Sequence, residues 1–225
     1  MAARMTERLL ELGNIDASAS YFLGRRFDKT VSILDVGTRF GSFLHRLALF
    51  GYSNVYGIDI DAYSIGIGRE VYPSLASRIQ VYDGKSIPYP NASFDVITMF
   101  DVIEHIPALD TFLSDIGRVL RPGGTLVFQT PNMLVNVPKE ILYTKSLSGW
   151  RHYHCSLQTV LSLPRLLRRS GFVPVVIEKH EVCTSYNLSE SRKHLGGAGP
   201  LLLRCLQAMP LPLYPNFWGH AQKPV

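Results

Sequence analysis

Three observations predict an α/β fold, a parallel sheet with helices on both faces. Short β-branched apolar runs alternate with stretches of helical periodicity through five strands. The first run passes into a glycine turn and then a helix, Val31 to Ala48 (VSILDVGTRFGSFLHRLA), the order that opens a βαβ unit. The chain has 225 residues, of which 46% are hydrophobic and 18% charged, which suits one α/β domain with decoration.

Residues 3–12 and about 16–26 read as two leading helices, with Ala17, Tyr21 and Phe22 as a weak apolar face. They are placed either to cap a ligand site or to pack on the sheet edge. Thr30 to Val36 is the first core strand, and Gly41 to Phe50 the first core helix, ended by Gly51. Asn54 to Ile60 is the second strand, and Ala62 to Tyr72 the helix that Pro73 stops. Arg78 to Tyr82 is the third strand, ending on Asp83-Gly84. Phe94 to Phe100 is the fourth, followed by a helix over Leu109 to Leu120 with Leu109, Phe112, Leu113, Ile116, Val119 and Leu120 on one face. After a sharp turn at Arg121-Pro122-Gly123-Gly124, Thr125 to Gln129 is the fifth strand. Further on, Leu157 to Ser170 reads as a helix interrupted near Pro164, Val173 to Lys179 as a sixth strand, and Ser185 to Gly199 as a polar loop. Leu201 to Leu213 is apolar and punctuated by proline.

Several residues in this frame have chemistry to offer. Gly37 can adopt angles that a side chain forbids and lets a ligand approach the main chain. The helix starting near Gly41 directs free N–H groups at the same place, although a tight turn with no ligand has the same pattern. Asp59 follows Gly37 by 22 residues on the neighbouring strand, where an acid accepts from ribose hydroxyls of an adenosine-containing ligand. Asp61 suits the other job available there, capping the next helix. Asp83 is placed to accept from an exocyclic amine, with Gly84 open to an aromatic ring; alternatively the pair is a plain turn.

Charge and cysteine usage narrow the classes further. Residues 1–138 hold 12 Lys and Arg against 14 Asp and Glu, whereas 139–225 hold 11 against 4. That basic back half suits an anionic substrate, a membrane surface or nucleic acid, or is simply a solvated face. No apolar run reaches the ~18 residues of a membrane span. Glu7 and Glu11 interrupt the N-terminal apolar patch, so no secretory signal is expected. Cys155, Cys183 and Cys205 lack zinc spacing and are odd in number, so a reduced, cytoplasmic protein is expected.

The segments LDVGTRFG (34–41), VYGIDID (55–61), Asp83-Gly84, FDVITMFDVIEHI (94–106) and LRPGGTLVFQTPN (120–132) together resemble the class I S-adenosylmethionine-dependent methyltransferases, in order and spacing, over about residues 30–180. The closest likeness is to the ubiquinone-biosynthesis O-methyltransferases. The resemblance implies a Rossmann-like, doubly wound, seven-stranded sheet whose last strand, here Asn216 to Lys223, is antiparallel. With residues 1–29 read as an N-terminal helical cap, the methyltransferase domain is expected over 30–225. Within that domain an insertion at about 133–155 covers the pocket, and an apolar segment occupies about 196–213. Asp35, Gly37 and Gly41 would line the methionine part of the cofactor. Asp59 would hold the ribose, with Ile60 on the adenine; Asp83 would take the adenine amine, beside Gly84 and Lys85. Phe100 and Asp101 would face the sulfonium and the acceptor. The family pattern has a glycine where this chain has Arg39, which is placed to reach the cofactor carboxylate or to point to solvent.

The implied reaction is an in-line methyl transfer to a small-molecule acceptor, with a hydroxyl oxygen preferred. His105 is then the candidate base, its alternative role being that of a helix-start or loop residue that bonds the backbone, and His152 or His154 is another candidate. In D-x-x-E-H, Asp101, Glu104 and His105 could hold a divalent metal, as the E-x-x-E-H of the resembling family is associated with magnesium; ordinary acids beside a pocket are the favoured alternative. An anionic or lipid-linked acceptor fits the basic half, and peripheral membrane contact at 201–213 is a minority reading. DNA is not expected, since no proline-aromatic tetrapeptide follows the fourth strand. Two rivals remain: a nicotinamide-dependent oxidoreductase, which should show G-x-G-x-x-G rather than Gly37-x-x-x-Gly41, and a non-catalytic module that binds an adenosyl ligand.

Overall fold

The computed structural model describes residues 15–146, 148, 154–209 and 214–225. The expected helix 3–12, the run from Trp150 to Tyr153 and residues 210–213 lie outside them. The strands are β1 (Ile33–Val36), β2 (Val55–Asp59), β3 (Ile79–Val81), β4 (Phe94–Phe100), β5 (Leu120–Pro131), β6 (Val175–Glu178) and β7 (Asn216–Gln222). They form one sheet in the order β3-β2-β1-β4-β5-β7-β6. The first five are parallel to their neighbours, while β7 runs antiparallel between β5 and β6, as the resemblance implied.

Helices cover both faces, so β1 reads as an unbroken buried run rather than an alternation. Consecutive residues still go to opposite sides. Leu34, Val36, Ile97 and Met99 pack with α4 (Leu109–Val119), through its Leu109, Phe112, Leu113, Ile116 and Val119. Ile33, Val55 and Val96 pack with Phe43, Leu44 and Leu47 of α2 (Ser42–Leu49). Each such fully buried side chain stabilises the fold by about 2 kcal/mol before entropy is counted. The leading helix, α1 (15–24), adds Ala17, Tyr21 and Phe22 to the second layer. Glu178 of β6 ties it down, accepting from the Tyr21 hydroxyl at 2.6 Å and from Arg25 Nη2 at 2.6 Å.

The second half departs from several expectations. The turn at 121–124 lies inside β5, because Leu120 already pairs with Phe94 before Thr125 pairs with Val96. The intervening residues make an excursion in which Gly123 takes φ +77°. The segment after Asn132 contains a helix, α5 (Met133–Thr144), capped by the Asn132 side chain. α6 (Ser162–Arg169) begins later than expected, because Thr159 Oγ1 accepts from the N–H groups of Leu161 and Ser162. Pro164 therefore sits in the first turn, where its missing N–H costs nothing. The expected polar loop is instead α7 (Ser185–Leu195), capped by Thr184 Oγ1 and ending on Arg192, Lys193 and His194, which complement its dipole. The apolar segment is α8 (Ala198–Ala208), packed on α7. Among the described residues no helix is long and apolar enough to cross a membrane.

Candidate active site

The strand order reverses at β1, which pairs with both β2 and β4, and a cavity of about 650 Å³ opens at the carboxyl ends of these strands. This is where open α/β sheets bind ligands. The turn after β1 supplies Gly37 and Arg39 to its wall. Gly37 has φ +77°, and a Cβ there would run into Val102 Cγ2. Arg39 also takes a positive φ, +46°, which costs a residue with a side chain about 1–2 kcal/mol. The position is therefore one that suits glycine, as the resemblance implied, and Arg39 occupies it under strain. Its N–H donates to Asp59 Oδ2 at 2.7 Å, and its guanidinium carbon lies 5.3 Å from the Phe40 ring centre. Gly41 has φ +78° and caps α2, but it lies off the cavity wall. Ser42 and Phe43, the first turn of that helix, do face the cavity, and no acidic residue there opposes an anion.

Asp59, on the wall at the end of β2, is nearly buried. One carboxylate oxygen accepts from Arg39 N–H and the other from Asp61 N–H at 2.9 Å, and each oxygen keeps capacity for a second donor. Asp61 turns away to cap α3 (Ala62–Val71), accepting from Tyr63 N–H and the Ser64 hydroxyl. Asp61 thus takes the capping job, while Asp59 keeps its carboxylate on the cavity wall. Ile60 stands on the wall with 67% of its surface exposed.

After β3 the wall is formed by Tyr82 and Gly84, whereas Asp83 and Lys85 lie off it. Asp83 Oδ1 accepts from Lys85 and Ser86 N–H at 2.9 and 3.2 Å, so its carboxylate closes its own turn. β3 ends at Val81, and Gly84 bends the chain at φ +75°, so the turn rather than the strand sets which of these residues meet the cavity.

Phe100 ends β4 and meets Phe43 edge to face at 5.0 Å. Asp101 follows at φ +54°, a second strained residue at the cavity. Its Oδ1 accepts from Gln129 Nε2 at 2.8 Å, and it borders both the cavity and a small pocket of about 20 Å³ behind it. Although its surface is open to the cavity, the protein mass around that cavity desolvates its carboxyl and raises it above the usual range, against the pull of Gln129. Asp35, by contrast, is buried, accepting from the Thr98 hydroxyl at 2.7 Å, and burial pushes it up to about 7.

The single turn Ile103–His105 then brings Glu104 inward and leaves His105 on the cavity wall, half exposed. Burial, then Asp101, pushes Glu104 up to about 8, and its Oε2 accepts from the Thr130 hydroxyl at 2.8 Å. The His154 ring lies 5.2 Å from that of His105, and burial, then His105, lowers its pKa. Asp101, Glu104 and His105 do not converge on one point. Among the described residues, the trio whose ligand atoms lie within 4.8 Å of one another is Glu104, His105 and His154. One carboxylate and two imidazoles are not the oxygen-rich set that magnesium takes, so these residues do not fit magnesium. His152, the other alternative base, lies outside the described residues. Sequence reasoning did not single out Ile15 and Ser18 of α1, which line the cavity.

A family model described as a methyltransferase domain matches residues 2–177. A Mycolicibacterium smegmatis protein named "Probable S-adenosylmethionine-dependent methyltransferase" is 38% identical over 125 residues, 52% of this chain and 43% of that protein. Methyltransferase GfsG of Streptomyces halstedii is 29% identical over 178 residues, 75% of this chain and 58% of that one. The chain thus spans about half the length of these curated relatives. Among solved structures, the [4+2]-cyclase SpnF superposes with a TM-score of 0.64 at 22% identity, over 97% of this chain and 81% of that one. With the strand order and cavity above, the match over most of its length places this chain in the methyltransferase-domain family, on the fold of the class I S-adenosylmethionine-dependent members.

Proposed function

We propose that the protein transfers the methyl group of S-adenosylmethionine to a hydroxyl oxygen of a small-molecule acceptor. The observation that carries this reading is Asp59, a carboxylate fixed by two backbone N–H groups on the wall of the cavity that also holds His105. The cofactor supplies an electrophilic methyl on a sulfonium. Asp59 accepts from its ribose hydroxyls, with Ile60 and Gly84 against the adenine. The turn at Gly37 and the first turn of α2 take the methionine end. Phe100 and Asp101 form the side where the acceptor enters and exclude water from it. Asp83 and Lys85, bound to their own loop, take no part in this reading, and Gly41 serves it by shaping the turn.

His105 takes the hydroxyl proton as the oxygen–methyl bond forms, the sulfur–methyl bond breaks and a neutral thioether departs. His154 stands behind it as a second imidazole. The basic back half suits an anionic or lipid-linked acceptor. Relatives are named for sterol carbon, phytyl hydroquinone and glycine-derived amine acceptors, so oxygen rests here on His105 alone. Strain at Arg39, together with a cyclase on the same fold, keeps a second reading, a domain that binds the adenosyl ligand without transferring methyl.

The test is transfer of radiolabelled methyl from S-adenosylmethionine to a panel of phenols, hydroquinones, amines and activated carbon acids. Methylation of a hydroxyl, with His105→Ala slower by about 10²–10⁴ near neutral pH, is the expected outcome. Methylation of amines or carbon acids alone contradicts the oxygen assignment, and binding without transfer to any acceptor favours the second reading.

A further inference from the structure

We propose that the exposed face of α8 docks on an anionic lipid bilayer. Among the described residues, α8 is held along its length by α7 and the core, and at its C-terminal end by Lys179 and the Cys183 N–H. Leu203 is buried, and Gly199 lies so close to the Ser191 carbonyl of α7 that no Cβ fits between them. On the other side Leu201 is 64% exposed, Leu202 51% and Met209, just past the helix, 38%, with Cys205 exposed among them. At about 100° per residue these four fall within one arc of roughly 100°. Leu195, exposed at the end of α7, adds to the apolar surface of the pair. Scattered exposed leucines need no explanation, but two neighbouring leucines that share one helix arc with Cys205 and Met209 form a patch that does.

Charge identifies the occupant. Exposed Arg204 lies about 60° beyond the arc, and exposed Arg192 and Lys193, the latter paired with Glu190 at 3.7 Å, end α7, with 11 basic against 4 acidic residues from 139 onward. Apolar side chains edged by cations are what an amphipathic helix lying in an anionic lipid surface presents. A second copy of the chain would bring like charges together at the same edge. The helix that holds α8 also reaches the chemistry. Asn187 and the capping Thr184 of α7 border the small pocket that shares Asp101 with the cavity. The docking itself does not depend on the methyl-transfer reading.

The experiment is co-sedimentation of the full chain with vesicles of phosphatidylcholine alone or with one-third phosphatidylglycerol, at low and high salt. Binding to the anionic vesicles that weakens with salt is expected, as is a loss of at least tenfold in Leu201→Glu/Leu202→Glu. Both positions are exposed, and an unchanged melting curve shows that the variant folds. No binding by the parent chain, or equal binding by the variant, overturns the proposal. A fall in oligomeric mass on the same substitution also overturns it, since the face would then join copies of the chain.

Discussion

Replacing Asp59 with Asn tests the proposed ribose contact, because the change preserves shape and removes one acceptor. Asp59 holds two backbone donors, Arg39 N–H at 2.7 Å and Asp61 N–H at 2.9 Å. An amide offers one carbonyl oxygen and turns an NH₂ toward the other donor. The loss of one charge-assisted hydrogen bond and the exposure of an unmatched N–H are each worth about 1.5–3 kcal/mol, and partial relaxation brings the net near 2. At about 2–4 °C per kcal/mol for a chain of this size, the unfolding temperature falls by roughly 4–8 °C. The bound ribose loses a comparable contact, so the dissociation constant for S-adenosylhomocysteine rises roughly 10- to 100-fold. Calorimetric titration measures the second effect and scanning calorimetry the first. Asp61→Ala is the control: it loses a helix cap worth about 1 kcal/mol and keeps its affinity. Asp59→Asn binding within threefold of the parent refutes the assignment of Asp59 to the ribose.

Other substitutions probe the rest of the account. Arg39→Gly removes about 1–2 kcal/mol of left-handed strain and adds about 0.5–1 kcal/mol of unfolded-state entropy, so the unfolding temperature rises by about 2 °C in a calorimetric scan. Leu113→Ala empties a fully buried site between α4 and the sheet and lowers urea-determined stability by about 2–5 kcal/mol. Asp35 and Glu104, raised to about 7 and about 8 in the folded chain, bind protons more tightly there than when unfolded, near 4. Above the unfolded value the folded state therefore holds the extra proton, and stability falls as pH climbs from about 4 toward 8. Urea midpoints across that range show the decline, and Asp35→Asn flattens the part below about 7.

The sheet was legible because a strand buried on both faces is written as a run of β-branched residues, as in Val31 to Val36 and Phe94 to Phe100. Asp59 was legible because the strand–helix–strand distance from Gly37 fixes where it arrives. Asp83 was singled out as an acid after a strand; that its Oδ1 closes the following turn through Lys85 and Ser86 N–H depends on a bend at Gly84 that no strand pattern encodes. α7 was hidden because its sequence, SYNLSESRKHL, is polar nearly all round, and Thr184 and the Glu190 ion pairs support it. The approach of His154 to His105 joins segments 49 residues apart in sequence, which no local pattern encodes. The same holds for Ser18, which reaches the cavity because Tyr21 and Arg25 bind Glu178 on a distant strand.

Thermal unfolding with S-adenosylmethionine, S-adenosylhomocysteine, NAD and no ligand tests the central claim most directly. At 100 times its dissociation constant a ligand adds about 2.7 kcal/mol, or roughly 5–10 °C for a chain of this size. A rise of that order with both adenosyl ligands and none with NAD is the predicted result. A rise with NAD alone, or with none of the three, contradicts the reading of this cavity as a site for S-adenosylmethionine.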